Sequence, residues 1–194
     1  MALAIFLATG VTIQAQDRLT QYKVRNAISV RTPIMNDSIN PKGEKHTKKM
    51  LLQTPVVLHL PDKPMQSLTT DTAGYLSFEK ADKDNKLYLV KTQIRAERFL
   101  KGKLKITSPV RWEVFIDGAS KQVKDAAEDS ITSGSSRDIA LSLEPERDYE
   151  IIIKLLSAAD DKATPTLKCE LIKDEKFKDI PCNLDPEARK RFSL

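Results

Sequence analysis

Cysteine and histidine each occur only twice in these 194 residues, tryptophan once and glycine six times. Cys169 and Cys182 lie 13 positions apart and His46 and His59 are far from both, which matches no zinc-ligand spacing. So few glycines exclude collagen-like and flexible low-complexity chains. There is no phosphate loop, dinucleotide fingerprint, His-Glu-x-x-His pair or Gly-x-Ser-x-Gly elbow. No repeat at a fixed period is found, which argues against a solenoid or a complete propeller. The longest apolar stretch, Ala2 to Ile13, is too short for the roughly 20 residues that a spanning helix needs.

What is present is alternation. Tyr88, Val90, Thr92, Ile94 and Ala96 are apolar or small, while Lys91, Gln93, Arg95 and Glu97 fall between them. Leu104 and Ile106 alternate with Lys103, Lys105 and Thr107, and Val110, Trp112, Val114 and Ile116 with Arg111, Glu113 and Asp117. A period of two with one greasy face is the mark of a half-buried antiparallel strand. Asp117-Gly118 then suits a two-residue hairpin, because both central positions need positive φ. Further strands are expected over Tyr22 to Arg31, Leu51 to Leu60, Gly74 to Phe78, Ile139 to Leu143, Tyr149 to Leu156 and Thr166 to Ile172. Ile152 and Leu156 make the strand after Tyr149 apolar on both faces, as a central strand would be. Nine or ten short strands with turn signals between them predict an all-β fold, an antiparallel β-sandwich.

Hydrophobic content of 40% and charged content of 30% are ordinary for a globular chain. The net charge of +5 is unevenly placed: residues 1–60 hold 8 Lys/Arg against 3 Asp/Glu. Much of that excess lies in Lys42 to Lys49, which has no interleaved aromatics and begins at Asn40-Pro41, so it reads as a solvated loop rather than a nucleic-acid patch. Residues 1–15 read as a signal peptide: an apolar core ends at Gln14-Ala15-Gln16-Asp17, and cleavage is expected after Ala15. No Lys or Arg precedes that core, so the expected true start lies upstream of Met1. The expected organisation is a signal peptide over 1–15, a β-sandwich over 16–180 and a short helical linker over 181–194, where Asp185 suits an N-cap and Pro186 the first helical position. The expected location is the periplasm or the exterior. In that setting Cys169 and Cys182 form either a disulfide or two separate thiols.

The search for chemistry yields little. Ser77-Phe78-Glu79-Lys80 has Ser-x-x-Lys spacing, but on a strand its two ends face opposite ways. Asp82, Asp84 and Asn85 lack the glycine and closing glutamate of a calcium loop. Trp112 shares parity with Val114 and Ile116 and is expected in the core, with Phe115 on the opposite face. No catalytic, cofactor-binding or metal-binding residue is assigned, and no cofactor is expected.

The segment from Leu87 to Ile106, followed by Arg111-Trp-Glu-Val-Phe-Ile-Asp-Gly118, resembles galactose-binding-like jelly-roll domains, where a valine-aromatic-valine strand runs into an Asp/Asn-Gly hairpin. Leu143 to Lys154 looks like the matching return strand, with Arg147-Asp148 where a glycine is usual. Over residues 75–194 the arrangement is similar to the N-terminal region of exported bacterial prolyl-oligopeptidase-family serine peptidases, with the tail from Asn183 as a connector. That resemblance implies a non-catalytic accessory β-sandwich that packs on or gates a following propeller and hydrolase domain. None of the family's catalytic Ser, Asp or His has a counterpart here. The alternative is a free-standing carbohydrate-binding module using a loop such as 125–138. Neither nucleic acid nor, after signal cleavage, a membrane is expected as a partner. Asp37-Ser38-Ile39, Asp71-Thr72-Ala73 and Asp129-Ser130-Ile131 also resemble triplets that some exporting bacteria O-glycosylate.

Overall fold

A computed structural model describes residues 16–29, 48–53 and 64–184. Among these described residues, twelve strands build two antiparallel sheets. The five-stranded sheet runs β1 (Gln16–Arg18), β11 (Thr166–Lys173), β6 (Leu100–Thr107), β9 (Ser136–Leu143), with β4 (Leu76–Ser77) also on β11. The seven-stranded sheet runs β3 (Gln66–Thr69), β2 (Gln21–Ser29), β5 (Lys86–Ala96), β10 (Asp148–Ser157), β7 (Arg111–Ile116), β8 (Ala119–Lys124), and β12 (Cys182–Asn183) pairs with β5. The two sheets face each other across one core, so the chain folds as the expected all-β sandwich.

The period of two decides which side chains meet inside. Register places Val90 opposite Ile153, and Ile153 opposite Val114. On the other sheet Leu171 faces Leu104, and Leu104 faces Ile139. These residues, with Trp112, Leu155 and Cys169, lie in one buried cluster. Each such side chain contributes about 1.5–3 kcal/mol by leaving water. β10 is the central strand that its two-sided apolar pattern implies, since Ile152 and Leu156 are buried on the outer face too.

Turns follow their residues. Asp117 and Gly118 adopt φ of 49° and 76° between Ile116 and its partner Ala119. At the turn into β10 the positive φ falls on Glu146, at 57°, one residue before the Arg147-Asp148 pair. Its N–H donates to the Ala96 carbonyl at 2.9 Å and its carboxylate pairs with Arg95.

Three expectations change. The strand expected over Leu51 to Leu60 begins as helix: Lys48–Gln53 forms α1. Lys, Met, Leu and Gln carry no branch at Cβ and favour helix, whereas Val56, Leu58 and Leu60, whose alternation suggests a strand, lie outside the described residues. Cys182–Asn183, assigned from sequence to a linker, adds to the edge of β5. Residues 125–138 are built more firmly than a polar loop implies. Thr132 and Ser135 cap the 3-10 turn Ser133–Ser135 reciprocally, and β9 starts at Ser136. The Ala2–Ile13 segment, His46, His59 and the tail from 185 lie outside the described residues.

Candidate functional site

The outer faces of the two sheets differ. On the seven-stranded sheet, α1 lies over Leu87 and Leu156 and buries Leu52 against them. Beneath it Lys154 donates to the Leu52 carbonyl at 3.1 Å and pairs with Glu113 at 3.3 Å. Arg111 pairs with Asp161 at 2.7 Å, both nearly buried. That face is taken up with holding the fold.

The outer face of the five-stranded sheet is a row of polar side chains. Inward positions on β6 are Leu100, Leu104 and Ile106, so strand parity sends Lys101, Lys103, Lys105 and Thr107 outward. On β11 the same rule sends out Lys168, Glu170 and Ile172, and on β9 Ser136, Asp138, Ala140 and Ser142. Register then sets Arg18, Glu170, Lys105 and Asp138 in one line across four strands. Opposite charges face each other along that line, an arrangement that stabilises a sheet. Lys101, Lys103 and Lys168 stand outside it and carry an excess of positive charge.

The pairings on this face are loose where it is most exposed. Lys103 lies 3.5 Å from Asp138, with side chains 55% and 46% exposed. Arg18 approaches Glu170 at 3.9 Å while half in solvent, and Lys168 reaches the buried Glu170 at 2.5 Å. Thr107 and Ser136 share a hydroxyl hydrogen bond of 2.8 Å. Aromatic rings close both ends. Lys168 lies 5.5 Å from the Tyr75 ring centroid, and Lys101 lies 5.8 Å from that of Phe99. Phe99 meets Phe177 edge-on at 5.9 Å and is itself 36% exposed. Phe99 to Thr107 covers about 27 Å of strand, with alternate lysines about 7 Å apart.

Arg18 also borders an open cleft of about 600 Å³, lined by Asp17, Lys173, Pro181, Cys182 and Leu184. Lys173 is held there by Asp17 at 2.6 Å and by the Ile180 carbonyl at 2.8 Å. Burial raises the Cys182 thiol pKa, against the opposing charge of Lys173. Both cysteines are free thiols, and burial pushes Cys169 up to about 12. Neither is poised as a nucleophile at neutral pH.

Trp112 lies fully inside the core, as its parity implies, and its indole N–H has no hydrogen-bond partner there. Phe115, on the opposite face, lies 5.1 Å from Lys154. Asn85 accepts from the Ala159 N–H at 3.0 Å, a structural use of its amide. Thr72 and Ser130, from the two triplets within the described residues, are both exposed. Among the described residues no three His, Cys, Asp or Glu side chains converge as a metal site, and no helix is long and apolar enough to cross a membrane. In the loop 125–138, Glu128 accepts from Ser135 and Thr132 and pairs with Lys124 at 3.6 Å, so its polar groups serve the loop itself.

Strand parity already pointed Lys103, Lys105 and Thr107 to solvent. The lysine face was missed as a site because the neighbours of β6 come from β11 and β9, which sequence alone does not pair with it.

No family model and no curated protein matches the chain. Among solved structures it is similar to a β-glucosidase from Kluyveromyces marxianus in complex with glucose, at 9% identity and a TM-score of 0.43, covering 80% of this chain and 16% of that one. It is also similar to the epithelial adhesin 9 A domain from Candida glabrata. With Galβ1-3GlcNAc bound, that match has 6% identity, a TM-score of 0.38 and coverage of 90% and 93%. With Galβ1-4GlcNAc bound, it has 7% identity, a TM-score of 0.38 and coverage of 91% and 94%. The chain thus spans about a sixth of the β-glucosidase and nearly all of the adhesin domain.

Proposed function

We propose that this chain is a non-catalytic carbohydrate-binding module of an exported protein, and that it binds through the outer face of its five-stranded sheet. The observation behind this reading is the half-exposed Phe99 ring, backed edge-on by Phe177 and continuous with an open strip of hydroxyl and charged side chains. A saccharide ring offers an apolar C–H face and a rim of hydroxyls, so it needs a ring to lie on and polar groups beside it. Strands hold such groups at fixed spacing, which lowers the entropy lost on binding. Export rests on the apolar segment Ala2 to Ile13. Affinity electrophoresis against a panel of neutral and acidic polysaccharides tests the reading. Retardation by at least one polymer that Phe99→Ala weakens about tenfold is expected. No retardation by any polymer, or retardation that Phe99→Ala leaves unchanged, defeats it.

An accessory module packing on a following hydrolase domain is the second reading. Phe99 supports it as well, since an exposed aromatic beside charged residues also suits a domain contact. Limited proteolysis of the product of the whole reading frame separates the two. An accessory contact protects the face carrying Phe99, and a ligand-binding face stays open.

A further inference from the structure

We infer that the five-stranded sheet's outer face selects an acidic polysaccharide, one bearing a carboxylate on its rings, over its neutral counterpart. This rests on the carbohydrate-binding reading above and narrows it to a ligand class.

The argument begins with charge. Five cations, Arg18, Lys101, Lys103, Lys105 and Lys168, share the face with two carboxylates, Glu170 and Asp138. Glu170 pairs with Lys168 and Arg18 and Asp138 with Lys103, so five cations against two carboxylates leave a surplus of three positive charges on the face. Lys101 and Lys103 are exposed and follow one another on a single straight strand with Lys105. A row of cations about 7 Å apart meets a linear polymer carrying charge at regular intervals.

Asp138 decides between polymers. It stands exposed among the lysines, 3.5 Å from Lys103. A carboxylate there repels a phosphate backbone and finds few donors on one. A polyuronate brings both partners, with its carboxylates for the lysines and its ring hydroxyls as donors to Asp138. Ser136 and Ser142 add neutral hydroxyls along the same strand edge. Nucleic-acid surfaces also interleave aromatics with cations to stack bases, whereas here Tyr75 and Phe99 stand only at the two ends of the row.

The test uses the full chain with polygalacturonate and its fully methyl-esterified form, which keeps the sugar and removes the charge. Polygalacturonate is expected to bind roughly tenfold tighter than the ester at low salt, and to weaken as salt rises. Lys103→Glu/Lys105→Glu and the milder Lys103→Gln/Lys105→Gln are expected to abolish that preference, with unchanged circular dichroism and thermal midpoint. Equal binding of the ester, or exclusive binding of neutral glucans, overturns the acidic class and leaves the carbohydrate reading standing. A single-stranded oligonucleotide binding as tightly as polygalacturonate in the same salt overturns it in favour of nucleic acid. No binding of any polysaccharide takes down both.

Discussion

Lys154 and Glu113 form an ion pair 3.3 Å long on the outer face of the seven-stranded sheet, with side chains only 7% and 6% exposed. Ser120 donates to the other Glu113 oxygen at 2.8 Å, and Lys154 also donates to the Leu52 carbonyl of α1. Removing one charge strands its partner out of water. Glu113→Ala is therefore expected to destabilise the fold by about 3 kcal/mol, whereas Glu113→Leu/Lys154→Met recovers most of that loss. Urea midpoints of the three proteins check this. A single variant as stable as the double would refute it.

Gly102 sits on β6 between two of the lysines, where a methyl group would lie 2.4 Å from the Ile172 carbonyl oxygen on β11. That neighbour is backbone and has little room to yield. Gly102→Ala is expected to cost about 2 kcal/mol, within the usual range for overpacking. Thermal unfolding measures it, and an unchanged midpoint would count against the close approach of β6 and β11.

Gly118 presents the opposite case. A methyl group there would meet nothing within 4 Å, yet φ is 76°. Only backbone strain opposes substitution, so Gly118→Ala is expected to cost about 1 kcal/mol and Gly118→Asn less. Equal effects of the two substitutions in chemical denaturation would contradict a left-handed turn.

Glu128 gives a pH dependence. Burial pushes its pKa up, but hydrogen bonds from Ser135 and Thr132 and the charge of Lys124 outweigh that and hold it below the ordinary glutamate value. A depressed carboxyl contributes stability at pH values above its unfolded pKa and loses it as pH falls through the folded one. The advantage of the native protein over Glu128→Gln is thus expected at neutral pH and is lost as the pH falls through the depressed carboxyl range of the folded state. Melting curves across that window decide it, and a gap that persists in acid would assign the effect to hydrogen bonds alone.

The thiols offer a chemical check. Cys169 is fully buried and Cys182 only partly, and neither is bridged. Alkylation of the native protein is expected to modify Cys182 slowly and Cys169 not at all, with both reacting after unfolding. Two unreactive sulfurs in the unfolded, unreduced protein would reveal a disulfide.

Much of the sandwich could be read from the chain because its strands obey a period of two. Trp112, Val114 and Ile116 point inward, and Asp117-Gly118 turns as its residues require. The helix at Lys48–Gln53 was not legible, since six residues give too little periodicity to outweigh the alternation of Val56, Leu58 and Leu60 after them. The turn before β10 was readable in position but not in detail, because Glu146 adopts a conformation usually left to glycine. The candidate face lay half in view. Its lysines follow from local alternation, whereas Glu170 and Asp138 join them only through pairings that span 65 and 33 residues of sequence.

Asp17, near the start of the described fold, and Cys182 and Leu184, at its close, line the same cleft, with Lys173 bridging to Asp17 and to the Ile180 carbonyl. The first and last described strands therefore meet at one corner of the sandwich. Linking Asp17 to Leu184 and opening the chain at the exposed turn Asp117-Gly118 is then expected to leave the register of both sheets intact.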